Sequence, residues 1–319
     1  ITENLDLLKQ IVYDDTYTNY ELQFPYETSR GCPYNCSFCD WTSGLSHKVQ
    51  KRQFVYQEEI EILGALGLQN IYLADANFGL WSNDLEIAKE FARLKKTKYN
   101  FHIHGFNFSK TKKDRVYEIA EIFLESNLIP FLKVSIQDMD ETVLKNIDRP
   151  DITYEEHMTY VNDIREKYPN SLIVFEIIKG LPGQTRKSWD KMFNVIARDK
   201  VQLRIYDWEL IPNSPAGYDL EYRKKMKIKT TFTVDPTRDN CVSEDVVETL
   251  SYDILDYAYF TLTANIYDFY FRKFVSDYPK IIELMKKNKF FDSTLDLIKT
   301  NIKNKSDVKK IAKNFLIQV

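Results

Sequence analysis

The sequence predicts an α/β fold: a partial (β/α)6 TIM-like barrel over residues 24–216, preceded by a lead-in of residues 1–23 and followed by a helical C-terminal region, residues 217–319. Three observations predict it. Between about residues 24 and 211, short apolar runs alternate with longer segments whose apolar positions recur at helical spacing. Seven of the nine glycines (Gly31, Gly44, Gly79, Gly105, Gly180, Gly183 and Gly217) fall on the loops that follow the candidate strands. Beyond Gly217 the alternation stops.

Taken in order, the first strand is Phe24 to Gly31, followed by a cysteine-bearing loop and a helix near 53–67. The next strand, Asn70 to Asp75, leads to a helix at 83–96, and Asn100 to Gly105 leads to one at 112–127. Phe131 to Gln137 is followed by a helix at 153–167, Leu172 to Lys179 by one at 185–198, and Gln202 to Ile211 is the sixth strand. Strand twist makes such crossovers right-handed and the strands parallel, in a partial barrel or, as the alternative, a doubly wound open sheet. Either architecture binds its ligand at the C-terminal ends of the strands. Tyr218 to Asp239 reads as irregular and charged, and helices are expected over 243–275, 278–288, 292–303 and 306–317. The aromatics Tyr252, Tyr257, Tyr259, Phe260, Tyr267, Phe269, Tyr270 and Phe271 are expected to pack this appendage.

Composition narrows the class. With 44 Lys and Arg against 47 Asp and Glu and 44% apolar residues, the chain is neither disordered nor supercharged. No apolar run approaches the ~18 residues of a membrane span. Residues 280–319 carry ten basic and four acidic side chains. Ile281, Ile282, Leu284, Met285, Val308, Ile311 and Phe315 make these helices amphipathic, so the lysines are expected to be a solvated face rather than a nucleic-acid surface.

Three of the four cysteines, Cys32, Cys36 and Cys39, lie within eight residues. Soft thiolates packed this closely suit a thiophilic metal or an iron–sulfur cluster better than disulfides. Zinc, with His47 completing a Cys3His set, is the structural alternative. Three thiolates on a four-iron cluster would leave one iron open for chemistry. Ser135 and Gln137 share strand parity and hence a face, as do His102 and His104, the histidines being expected as hydrogen-bonded core or rim residues. Cys241 is expected to be a buried, unreactive thiol.

The Cys32-x3-Cys36-x2-Cys39 spacing, with Phe38 before the last cysteine, resembles the signature of the radical S-adenosylmethionine (radical SAM) superfamily. The stretch Ser29 to Trp41 looks most like members that often carry a cobalamin-binding domain. The resemblance runs over about 190 residues and implies a [4Fe-4S] cluster on the three cysteines, with SAM as the second cofactor and cobalamin as a further one. It implies that Asp75 or Asn77, in Ala74-Asp75-Ala76-Asn77-Phe78-Gly79, holds the methionyl amine. Ser135 and Gln137 would meet the ribose, Arg149 the carboxylate, and Phe38 and the glycine-rich turn at Gly180 the adenine. Ile211 would give the last backbone contact to adenine. The implied activity is reductive cleavage of SAM to a 5'-deoxyadenosyl radical that modifies a substrate the sequence leaves unknown. The alternatives are cobalamin-dependent methyl transfer, its corrinoid domain lying upstream of Ile1 or on a partner, and a non-catalytic iron–sulfur or zinc protein. An electron donor such as flavodoxin or ferredoxin and a reducing, cytoplasmic setting follow from the same resemblance.

Overall fold

Apolar periodicity places the strands and helices between residues 24 and 211 where they form, with ends shifted by a few residues. The computed structural model describes residues 23–41, 49–53, 55–108, 113–149, 153–235 and 241–273. His47, Gly44 and the helices expected beyond 278 lie outside the described residues. Two units divide the chain: Ile1–Pro33, Trp41–Ser135 and Asp151–Val174 form one, and Tyr34–Asp40, Ile136–Pro150 and Phe175–Val319 the other.

The first unit opens with β1 (Phe24–Tyr26), β2 (Ser29–Arg30) and β3 (Gln50–Lys51). Helix α1 (Tyr56–Ala65), β4 (Asn70–Leu73), α2 (Ser82–Thr97), β5 (His102–His104), β6 (Asn107–Phe108) and α3 (Lys113–Glu125) follow. β1, β4 and β5 are parallel neighbours, with Phe24 opposite Ile71 and Asn70 opposite His102. α2 turns Ile87, Phe91 and Leu94 inward and α3 turns Val116, Ile119 and Phe123, the three-to-four spacing of one buried helix face. The Phe91 ring meets Tyr26 at 5.7 Å and Phe101 at 5.2 Å, both edge-on. Burying each such ring is worth about 2–3 kcal/mol. The expected single strand from Phe24 to Gly31 is corrected to two: after Tyr26 the chain turns, and β2 pairs antiparallel with β3.

β7 (Phe131–Gln137) and β8 (Leu172–Lys179) start in the first unit and finish in the second, with α4 (Glu141–Asn146) and α5 (Tyr154–Lys167) between them. Together with β6 and β9 (Gln202–Asp207) they form a sheet in the order β6–β7–β8–β9. Chain order and spatial order coincide, as expected when each connection returns the chain beside the strand it left.

The second unit continues with α6 (Arg186–Asp199), α7 (Pro215–Tyr218), α8 (Leu220–Lys225), β10 (Lys229–Asp235), β11 (Cys241–Glu248) and α9 (Ile254–Lys273). α9 is buried continuously from Tyr257 to Ala264. The Trp189 ring of α6 lies tilted against Phe260 at 5.0 Å, and its indole donates its hydrogen to Thr263 Oγ1 at 2.8 Å. Tyr252, Tyr257, Tyr259, Phe260 and Tyr267 are buried core residues. The side chains of Phe269, Tyr270 and Phe271 are outside the description.

The expected helix at 243–275 is corrected in its first part. Cys241–Glu248 is a strand, paired antiparallel with β10, and the helix starts at Ile254. β-branched residues make up most of the first arm of this hairpin (Thr230, Thr231, Thr233, Val234) and recur in the second (Val242, Val246, Val247), and they favour the pleated backbone. The sixth strand likewise ends at Asp207 rather than Ile211. The chain beyond it pairs with β11 instead: Val246 N–H donates to the Trp208 carbonyl at 3.2 Å and Leu210 N–H to that of Glu244 at 2.8 Å. Gly217, expected on a loop, lies in α7.

Candidate active site

The cysteine loop leaves β2 through Gly31, whose φ of 91° is open to glycine. Cys32 is half-buried, and Asn77 Nδ2 donates to its sulfur at 3.0 Å. In the second unit, Cys36 is buried and Cys39 half-buried, and the Cys39 N–H closes a turn onto the Cys36 carbonyl at 3.1 Å. Ser37, between them, is tied down on three sides. Its N–H donates to the Ile147 carbonyl at 2.9 Å, its carbonyl accepts from Ala216 N–H at 2.8 Å, and its hydroxyl lies 2.8 Å from that of Tyr222. Tyr222 spends its own hydrogen on the Asn146 carbonyl at 2.8 Å, so Ser37 is the donor in the pair. Burial pushes the Tyr222 phenol up to about 12. None of the four cysteines is in a disulfide. Among the described residues, no three His, Cys, Asp or Glu side chains are grouped so as to hold a metal ion. Cys241 is exposed at the start of β11, correcting the expectation of a buried thiol.

The structure separates the two candidates after β4. Asp75 is buried and its carboxylate turns to the β1–β2 corner. It accepts from Thr28 N–H at 3.0 Å, Thr28 Oγ1 at 2.7 Å, Ser29 N–H at 2.6 Å and Ser29 Oγ at 2.9 Å. This clasp is what turns the chain between β1 and β2. Burial raises the Asp75 carboxyl above its ordinary range against the pull of those donors. Asp84 caps the start of α2, accepting from Gly79 N–H at 2.9 Å and Trp81 N–H at 3.0 Å. Asn77 instead faces Cys32.

Along β7 burial alternates strictly, leaving Ser135 and Gln137 on the half-buried face. Gln137 ends the strand with a φ of 66°, and Asp138 follows, buried. Gln184, 1% exposed, joins this corner to the glycine turn after β8. Its Oε1 accepts from Gly180 N–H at 2.7 Å and Leu181 N–H at 3.1 Å, while its Nε2 donates to Asp138 Oδ2 at 2.6 Å and the Ile178 carbonyl at 2.8 Å. Gly180 has a φ of 93°, and its carbonyl accepts from Tyr252 OH at 2.6 Å. Both main-chain groups of Gly180 are therefore engaged within the fold.

A cavity of about 580 Å³ opens in the second unit at the ends of β7, β8 and β9. Three of the expected cofactor residues, Phe38, Gln137 and Ile211, line it, with the carboxylates Glu176, Asp207 and Glu209. Phe38 packs against the buried cluster of Val143, Ile147, Leu181 and Trp208. The Ile211 carbonyl accepts from Ser214 N–H at 2.9 Å and Ser214 Oγ at 2.8 Å, leaving the half-exposed side chain toward the cavity. Asp75, Asn77, Ser135, Arg149 and Gly180 do not line it. Arg149 is half-buried after α4, its N–H on the Leu144 carbonyl at 3.0 Å. His102 and His104 are half-buried on one face of β5, and burial lowers the His102 imidazole. Sequence reasoning missed Tyr222, Asp138 and the carboxylates that line the cavity. One signal was present for them: Glu176 and Lys179 interrupt an otherwise apolar strand, and buried charges in such a run need partners.

Residues 26–196 match the family described as the Radical SAM superfamily. The chain belongs to that superfamily. Two curated relatives are named as methyltransferases. A 2-(S-pantetheinyl)-carbapenam-3-carboxylate methyltransferase of Streptantibioticus cattleyicolor is 32% identical over 207 residues, 61% of this chain and 30% of that protein. The cobalamin-dependent radical SAM methyltransferase TokK of Streptomyces tokunonensis is 33% identical over 195 residues, 60% of this chain and 28% of TokK. The match thus spans under a third of either relative's length. Among solved structures, the radical SAM methyltransferase TsrM of Kitasatospora setae superposes with a TM-score of 0.54 at 16% identity, over 67% of this chain and 41% of TsrM, which shows the shared α/β fold.

Proposed function

We propose that this chain is the radical SAM domain of an enzyme that binds a [4Fe-4S] cluster through Cys32, Cys36 and Cys39 and cleaves SAM reductively to modify a substrate. The cysteine loop carries the reading: three cysteines within eight residues, none of them in a disulfide, fit the three-thiolate donor set, and the loop backbone is held through Ser37. When bound, the cluster supplies the electron that breaks the SAM carbon–sulfur bond.

The chain's own residues bind and orient. Asn77 is the better candidate for the methionyl amine, since four donors from Thr28 and Ser29 already occupy the Asp75 carboxylate. Phe38, Gln137 and Ile211 would hold the adenosine in their shared cavity, Ser135 would reach the ribose from the Gln137 face of β7, and Arg149 would pair with the carboxylate. Gly180 would shape the turn beside the adenine. The two curated relatives favour a finer, second reading of methyl transfer, and TokK favours cobalamin as its cofactor, the corrinoid being held by a domain or partner outside the matched residues. A flavodoxin or ferredoxin would deliver electrons in the cytoplasm. Among the described residues no helix is long and apolar enough to cross a membrane.

The test is anaerobic reconstitution followed by SAM and dithionite. 5'-Deoxyadenosine should form, and Cys36→Ala should abolish it. A colourless protein that holds zinc in place of iron would overturn the reading.

A further inference from the structure

We propose that the face of the β1–β4–β5 sheet turned away from α2 binds the substrate, and that the substrate presents to it a flat, uncharged ring whose edge carries a hydrogen-bond donor and an acceptor together, as a carboxamide does. Calling that ligand the substrate rests on the radical SAM reading.

Register sets Pro25, Tyr72 and His104 in one row across the three parallel strands. The rows on either side, Ile71 with Ile103 and Tyr26 with Leu73, are buried, Tyr26 against Phe91 of α2. Successive residues of a strand alternate between faces, so the Pro25 row points the other way. There Pro25 is exposed and Tyr72 is 45% exposed. β4 lies between β1 and β5, and the middle strand of a parallel sheet is ordinarily covered on both faces. An exposed tyrosine at that place marks a face left for a ligand, and the Pro25 and Tyr72 rings offer it flat apolar surface. Gly105 makes room for the tyrosine: a Cβ there would lie 3.2 Å from Tyr72 Cζ and 2.7 Å from the Leu73 carbonyl oxygen.

A second, independent observation points to the polar edge of that ligand. His104 Nε2, next to Tyr72 in the row, and Asn107 Oδ1, two residues beyond Gly105, are both buried without a hydrogen-bond partner among the described residues. A polar atom left in this state costs free energy until a partner meets it. The two side chains are half-buried, and a turn about χ2, a soft torsion in histidine and asparagine, brings either atom to the face without moving the backbone. Neither atom carries a formal charge in a neutral imidazole or an amide, so the matching edge is uncharged. A carboxamide meets both: its N–H donates to Asn107 Oδ1, and its remaining N–H or its carbonyl serves whichever tautomer His104 adopts.

The test is calorimetric titration of the reconstituted full chain with three probes. Benzamide has the flat ring and the full edge, methyl benzoate keeps the ring and carbonyl without an N–H, and cyclohexanecarboxamide keeps the amide on a puckered ring. Benzamide should bind about fivefold or more tighter than either, the worth of one hydrogen bond or one ring contact. In Asn107→Leu the preference over methyl benzoate should shrink to within about twofold, and in Tyr72→Leu so should the preference over cyclohexanecarboxamide. Asn107→Ala and Tyr72→Ala should give the same result, and melting curves confirm which variants fold. Equal binding of the three probes, preferences that survive in the folded variants, or failure of all three to bind would overturn the inference. Displacement of benzamide by saturating SAM would also overturn it, assigning the face to SAM itself. 5'-Deoxyadenosine is measured on the same preparation. SAM cleavage without the benzamide preference sinks this inference alone, whereas the preference without SAM cleavage sinks the radical SAM reading of this chain.

Discussion

Gln184 meets two N–H donors with its oxygen and two acceptors with its nitrogen, a pattern that only an amide can match. Asp138 supplies the physical reason for an amide at this position. A glutamate would set a second carboxylate against Asp138 in a buried corner. Gln184→Glu should therefore cost about 2–4 kcal/mol in thermal melts at pH 8, and less at pH 5, where one proton can be shared between the two. Asp138 itself carries a pH signature. Burial raises its carboxyl from 3.8 to about 6, so the folded chain holds this proton more tightly than the unfolded one. The stabilisation that this proton brings is complete below about pH 4 and is lost as pH rises through about 6, amounting to about 3 kcal/mol. Asp138→Asn should start less stable, because one amide oxygen cannot serve both Asp140 N–H and Gln184 Nε2. Its melting temperature should nonetheless lack the wild-type decline between pH 4 and 6, and an unchanged decline would show that another group titrates there.

At the scale of elements, the cysteine loop depends on pieces distant in sequence: the carbonyl after α4, the N–H at Ala216 in α7, and Tyr222 of α8. Tyr222→Phe removes both phenol hydrogen bonds and should lower stability by about 1–2 kcal/mol. It should also lower the iron bound per chain on reconstitution, measured by colorimetric iron assay. A variant that loses stability but loads iron fully would limit Tyr222 to scaffolding. None of this was legible beforehand, because a lone tyrosine in a charged stretch carries no periodic signal. The hairpin was hidden for a related reason. Glu244 and Glu248 read as a solvated helix face until their partners are known: Arg223 holds Glu244 through paired bonds of 3.0 and 3.1 Å, and Lys229 pairs with Glu248. By contrast, the strands from Phe24 to Asp207 and their helices were legible because each buries one apolar stripe whose period is fixed by backbone geometry.

Across the whole molecule, what the sequence revealed of the candidate site was its chemistry, and what it concealed was the division of labour. Cys32, Cys36, Cys39, Phe38, Gln137 and Ile211 were expected from spacing and resemblance, and the structure brings Phe38, Gln137 and Ile211 to one cavity. Whether Asp75 serves a ligand or the backbone depends on where Thr28 and Ser29 point, which only the turn between β1 and β2 decides. The carboxylates that line the cavity come from two strands, β8 and β9, and from the residue after Trp208, so no single sequence window contains them.

The exposure of Cys241 has a practical consequence for measurement. Once a cluster occupies the other three thiols, a maleimide dye or spin label should attach at the start of β11 alone. The chain thus comes with a natural attachment point for an optical reporter on the hairpin, and substrate or partner binding could be followed by fluorescence anisotropy without engineering a cysteine.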